Sequence, residues 1–144
     1  MSDILFLAMR RIPTLVGVEG HFKGESCPLL YGKTVIVGRS RDVDFSLKRT
    51  RVYCDQTPEQ RDADEEAQTI SGRHFKITVY NLRSIEIKNL SPNGTIVDGK
   101  PIESIVLSDV SNNRHEIRMG LREILSLEMR EHEEGADTDI ELVE

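Results

Sequence analysis

Apolar and polar residues alternate with period two along most of this chain. His74–Tyr80 sets Phe75, Ile77 and Val79 on one face, and Ser84–Lys88 repeats the pattern through Ile85 and Ile87. Such alternation describes a strand with one face buried and the other wet. Thr14–Glu19 and Lys33–Val37 are rich in β-branched residues, and Thr95–Val97, Ile102–Leu107, His115–Met119 and Arg122–Leu127 complete the predicted strands. Between them fall turn signals: Glu19-Gly20, Asn81, Pro92-Asn93-Gly94, Asp98-Gly99 and Asn112-Asn113. Asn-Gly and Asp-Gly favour tight turns because both residues tolerate positive φ. Many short strands at this spacing predict an antiparallel sandwich or barrel. Leu121–Arg130 has some helical character, but Gly120 before it favours a hairpin.

Two segments break the rhythm. Residues 48–69 are polar and charged and read as a long, mobile loop. Residues 129–144 read as an acidic, disordered tail, with Ile140–Val143 its one apolar patch. The expected organisation is an extension over 1–13, one domain over 14–128 and the tail. A chain of 144 residues holds one domain with a proper core.

Charge follows the same division. Residues 128–144 carry eight acidic side chains and one Arg, a net −7, which leaves the rest of the chain at +1. A near-neutral body without Trp is not the footprint of a nucleic-acid binder, which needs many phosphate contacts and aromatic faces. Cys27 and Cys54 fit no metal spacing, and His21, His74, His115 and His132 are scattered. There is no P-loop and no nucleophile set beside a base, so neither catalysis nor a cofactor or metal is expected. Ile4–Met9 is too short for a signal sequence and no stretch spans a membrane, so a cytoplasmic protein with reduced thiols is expected.

Three motifs stand at predicted strand ends: Gly38-Arg39-Ser40, Ser71-Gly72-Arg73-His74 and Asn93-Gly94-Thr95. Loops of a sandwich cluster at its two ends, so three such motifs can converge on one rim. In this order, with Asp98-Gly99 following, they resemble the forkhead-associated (FHA) domain. Asp42–Leu47, Ile70, Phe75-Lys76-Ile77 and His115–Gly120 extend the likeness over roughly residues 14–128.

The resemblance implies a twisted antiparallel β-sandwich of the FHA/SMAD type that binds phosphothreonine-containing proteins in signalling, a Ser/Thr protein kinase or its substrate among them. A phosphothreonine presents nearly two charges and three acceptor oxygens. Arg39 offers a planar charged fork, Ser71 a hydroxyl, and Asn93 an amide able to clamp peptide backbone. Ser40, Gly72 and Thr95 join the expected contact set. Gly38, His74 and Gly94 are expected to support it, Gly94 by a positive-φ turn. Lys48, Arg49 and Arg51 form a basic cluster that could supplement Arg39.

The chain departs from the family pattern at Gly72 and Pro92, where polar side chains are common, and in the length of loop 48–69. Those departures motivate a rival expectation, a scaffolding sandwich that has lost phosphate recognition. A third is self-regulation, in which phosphorylated Thr57 or Thr138 occupies the site.

Overall fold

The longest strand pair among the described residues is a ribbon that joins the first described strand to the last. In the computed structural model, which describes residues 9–133, β1 (Met9–Glu19) pairs antiparallel with β11 (Glu123–Glu133) from Met9↔Glu133 to Glu19↔Ile124. Strand structure therefore begins five residues before the expected domain start and runs five residues into the expected tail. The reason is cross-strand chemistry that a tail's composition conceals. Arg11 opposes Glu131, Ile12 and Pro13 are buried, and Thr14 Oγ1 lies 3.1 Å from His132 Nε2. Residues 134–144, with Thr138 and Ile140–Val143, lie outside the described residues.

The other strands are β2 (Ser26–Pro28), β3 (Thr34–Gly38), β4 (Phe45–Ser46), β5 (Phe75–Asn81), β6 (Ser84–Asn89), β7 (Thr95–Val97), β8 (Lys100–Ile102), β9 (Ser104–Leu107) and β10 (His115–Met119). They form a six-stranded sheet, β2-β1-β11-β10-β7-β8, and a five-stranded sheet, β4-β3-β5-β6-β9. All described pairs are antiparallel except β3–β4. The segment predicted as one strand over Ile102–Leu107 is two, β8 and β9, one on each sheet, with Glu103 between them. Pro101 sits in β8, an edge strand, where a missing N–H costs no ladder bond. Asp98 and Gly99 both take positive φ, as the tight β7–β8 hairpin requires.

Between the sheets lie Leu15, Val37, Phe75, Ile77, Val79, Ile85, Ile87, Ile117, Leu125 and Leu127, all fully buried. The predicted inward faces of β5 and β6 are the observed ones.

Residues 47–69 are not an unstructured loop. A 3-10 turn (Leu47–Arg49) leads to α1 (Arg51–Cys54), α2 (Pro58–Asp62) and α3 (Glu65–Gln68). Side chains of Thr50, Thr57 and Asp64 cap these helices, and Thr57 with Gln60 forms a reciprocal capping box. Leu47, Tyr53, Ala67 and Ile70 carry the insert into the core. A polar composition hid the helices because single turns held by caps need few apolar residues.

Candidate functional site

The three motifs meet at one end of the sandwich, held together mainly by backbone. Gly38 ends β3 where an added Cβ would stand 2.2 Å from the Gly72 carbonyl oxygen. Only glycine allows that approach, and it lets Arg39 N–H donate to Ser71 O (2.9 Å) and Ser40 N–H donate to Gly72 O (3.2 Å). The first motif is thus stitched to the second by the two residues that follow its closest approach.

His74 ties the second motif to the third. It is fully buried, accepts from Ser71 N–H at Nδ1 (3.0 Å), and donates from Nε2 to Gly94 O (2.8 Å). These partners select the neutral tautomer protonated at Nε2. Burial pushes its pKa below the usual histidine value, against the bond to Gly94. His74 therefore joins the second and third motifs from a buried position. Gly94 has φ +89°, the positive-φ turn expected after Asn93.

Ser91, which sequence reading passed over, is the hub beneath the rim. Its Oγ accepts from Asn93 N–H (3.0 Å) and lies 2.6 Å from Ser71 Oγ. Its own N–H donates to Asn89 Oδ1 (3.1 Å), a side-chain-to-backbone turn. The spacing Asn89-x-Ser91-x-Asn93 was the available signal for it.

The described side chains differ in how far they are committed. The Arg39 side chain is half-buried and its guanidinium has no partner among the described residues. Asn93 is exposed; its amide nitrogen donates to Thr69 O (2.8 Å), while Oδ1 is unpaired among the described residues. Ser40 Oγ donates to Asp42, which holds that carboxyl below its usual range. A Cβ on Gly72 would meet only Ser40 Cβ at 3.8 Å, an ordinary contact.

Two sequence expectations are corrected here. Thr95 is fully buried and donates to Asn89 Oδ1 (2.8 Å), so it braces the rim from below and cannot touch a ligand. Arg49 does not join Arg39, because its guanidinium donates to the carbonyls of Val43 and Asp44 and shapes the β3–β4 connection.

The insert also reaches this end of the molecule. Thr69 O holds Asn93, and Thr69 Oγ1 accepts from Leu121 N–H (3.2 Å) in the β10–β11 turn. On its other side the insert carries Asp64 and Glu66 against His21 and Glu123.

Comparison with known proteins agrees with this fold. No curated protein sequence matches the chain. Among solved structures, an FHA domain from a study of phosphothreonine-dependent FHA interactions is 26% identical, with a TM-score of 0.54 over 80% of this chain and 94% of that one. The FhaA FHA domain complexed with the intracellular domain of Rv3910 is also 26% identical, with a TM-score of 0.53 over 82% and 99%. The N-terminal FHA domain of S. cerevisiae Rad53p, bound to a phosphothreonine peptide, shares the fold at 16% identity, with a TM-score of 0.52 over 90% and 98%. The family model described as the FHA domain matches residues 35–120, more than half of the chain, and the chain belongs to the FHA-domain family.

Proposed function

We propose that the chain is a binding module for phosphothreonine-containing proteins, with Arg39, Ser71 and Asn93 as its recognition set. The observation that carries this reading is the contrast in commitment at the rim. The Arg39 backbone is pinned to the second motif, yet its guanidinium is left without a partner among the described residues. An arginine whose backbone is held and whose guanidinium is unpaired is available to a dianion, with the backbone's share of the ordering entropy met before the ligand arrives.

Ser71 Oγ, braced by Ser91, adds a neutral donor, and Ser40 adds another by turning from Asp42. Asn93 Oδ1 accepts a peptide N–H while its amide nitrogen stays on Thr69. Gly72 leaves room beside them for ligand backbone. FHA relatives seen with phosphothreonine peptides and with a partner protein support the same reading. The partner is then a protein phosphorylated on threonine by a Ser/Thr kinase. A cytoplasmic setting fits, and no described helix is long and apolar enough to cross a membrane.

Calorimetry against a degenerate phosphothreonine library and its unphosphorylated twin tests the reading. We expect at least about 100-fold preference for the phosphorylated form, since loss of a charged hydrogen-bonding partner costs several kcal/mol. Arg39→Ala should remove the preference, and Arg39→Lys should keep the charge but lose the fork, weakening binding about tenfold. Binding of equal strength to both libraries would defeat the proposal.

A further inference from the structure

Four side chains remote in sequence meet beside the insert. His21 lies in the β1–β2 turn, Asp64 caps α3, Glu66 lies in its first turn, and Glu123 opens β11. His21 Nδ1 lies 2.7 Å from Glu123 Oε2 and 3.6 Å from Glu66 Oε2, and Nε2 lies 2.6 Å from Asp64 Oδ2. His21 is 5% exposed and Glu123 is fully buried. The cluster lies against an open cleft of about 610 Å³ whose lining includes Glu19, Lys23 and Arg122.

The donors do not suffice for the acceptors. Glu123 accepts from the N–H groups of His21 (2.9 Å) and Phe22 (3.2 Å) as well as the imidazole. Asp64 takes Nε2, Gln56 Nε2 (3.0 Å) and Ala67 N–H (3.0 Å). Glu66 Oε2 is shut off from solvent and, as a carboxylate, finds no donor among the described residues; the carboxyl faces that of Glu123, and its other oxygen lies 3.7 Å from Nε of the exposed Arg122. A buried carboxylate oxygen facing a second carboxylate needs something positive between them.

We propose that His21 Nδ1, Glu66 and Glu123 form a binding site for a divalent transition-metal cation of the zinc type, with Asp64 orienting the imidazole. The three ligand atoms lie within 4.8 Å of one another. Tetrahedral zinc at about 2.0–2.2 Å from each ligand separates ligand atoms by about 3.4 Å, within reach of small side-chain shifts. A neutral imidazole whose second N–H donates to a carboxylate is the usual support for a bound metal. The imidazole selects zinc-like ions over magnesium, and the cleft gives access for the ion and for a completing water. A filled site would lock the insert, and with it the Thr69 carbonyl that holds Asn93.

The test is titration of ZnCl2, beside MgCl2, into the full chain after chelator treatment. We expect one zinc per chain, a raised Tm and no response to magnesium. Displacing a proton from His21 makes binding tighten as pH rises. Glu66→Gln should weaken zinc binding at least tenfold while making the metal-free protein more thermostable, because an amide can donate to Glu123. Asp64→Asn, which keeps the helix cap, should weaken zinc about tenfold. Glu66→Gln retains Cys27 and Cys54, so a thiol site would survive it. No zinc binding, or equal binding to Glu66→Gln, would overturn the proposal and leave the cluster an ion-pair clamp closed by a proton.

Discussion

The rim around Arg39 and the cluster around His21 lie at the same end of the sandwich and are built on opposite rules. In the rim the backbone is committed and a cationic side chain is left unpaired among the described residues. In the cluster nearly every polar atom is committed, the sign is anionic, and burial is almost complete. Such a contrast separates recognition from retention. A surface that must receive a ligand keeps its strongest donor unspent, whereas a joint that must hold an insert uses its donors internally. Sequence distance follows the same division. The rim comes from three contiguous motifs, while the cluster needs residues 21, 64, 66 and 123.

If that division is correct, substitutions should separate stability from binding. Glu123→Ala strips acceptors from two backbone N–H groups and a charged imidazole, so we expect a loss of about 3–5 kcal/mol by denaturant unfolding. Gly38→Ala drives a Cβ into the Gly72 carbonyl and pries the first two motifs apart. A loss of about 1–3 kcal/mol, accompanied by weaker phosphopeptide affinity, is expected there. Asn93→Ala should leave Tm nearly unchanged, since the residue is exposed, while weakening peptide binding about tenfold. Should Asn93→Ala unfold the protein, the rim would be a structural joint after all.

The smallest effects are those of pH on the metal-free protein, and they carry opposite signs. Burial pushes His74 below 6.5, so its contribution is present above the unfolded pKa and is lost as pH falls. Burial also pulls His21 down, but the Glu123 and Asp64 carboxylates outweigh it and raise its pKa to about 9. Its contribution is full below 6.5 and is lost as pH rises through 9. Burial and the neighbouring Glu123 push Glu66 up to about 7, so its contribution is full below 4.5 and is lost as pH rises through 7, ahead of the loss at His21. Hydrogen-exchange protection, corrected for intrinsic rates, should therefore fade at Ser71 N–H on the acid side and at His21 N–H on the alkaline side. Fading of both in the same direction would contradict the assignment of the two histidines.

How much of this was legible in the sequence depends on range. The strands β5, β6 and β10 were, because their pattern alternates within a few residues. Arg39, Ser71, His74 and Asn93 were legible as motifs, and the predicted positive-φ turn at Gly94 is present. The reach of β1 and β11 was not, because Arg10–Pro13 and Met129–His132 look ordinary until they are paired. Nor were the helices of the insert, since Thr57 and Asp64 mark helix starts only once the turns they cap exist. Thr95 was misassigned because a hydroxyl after Asn-Gly points either way, and strand register decides which.

The most direct measurement is a two-dimensional amide spectrum of the 15N-labelled chain during titration with a phosphothreonine peptide. The account predicts shifts concentrated at Arg39, Ser40, Ser71, Gly72, Asn93 and Gly94, with no matching response to the unphosphorylated peptide. Shifts centred instead on exposed sheet positions such as Tyr80 and Val106, or equal shifts with both peptides, would contradict it.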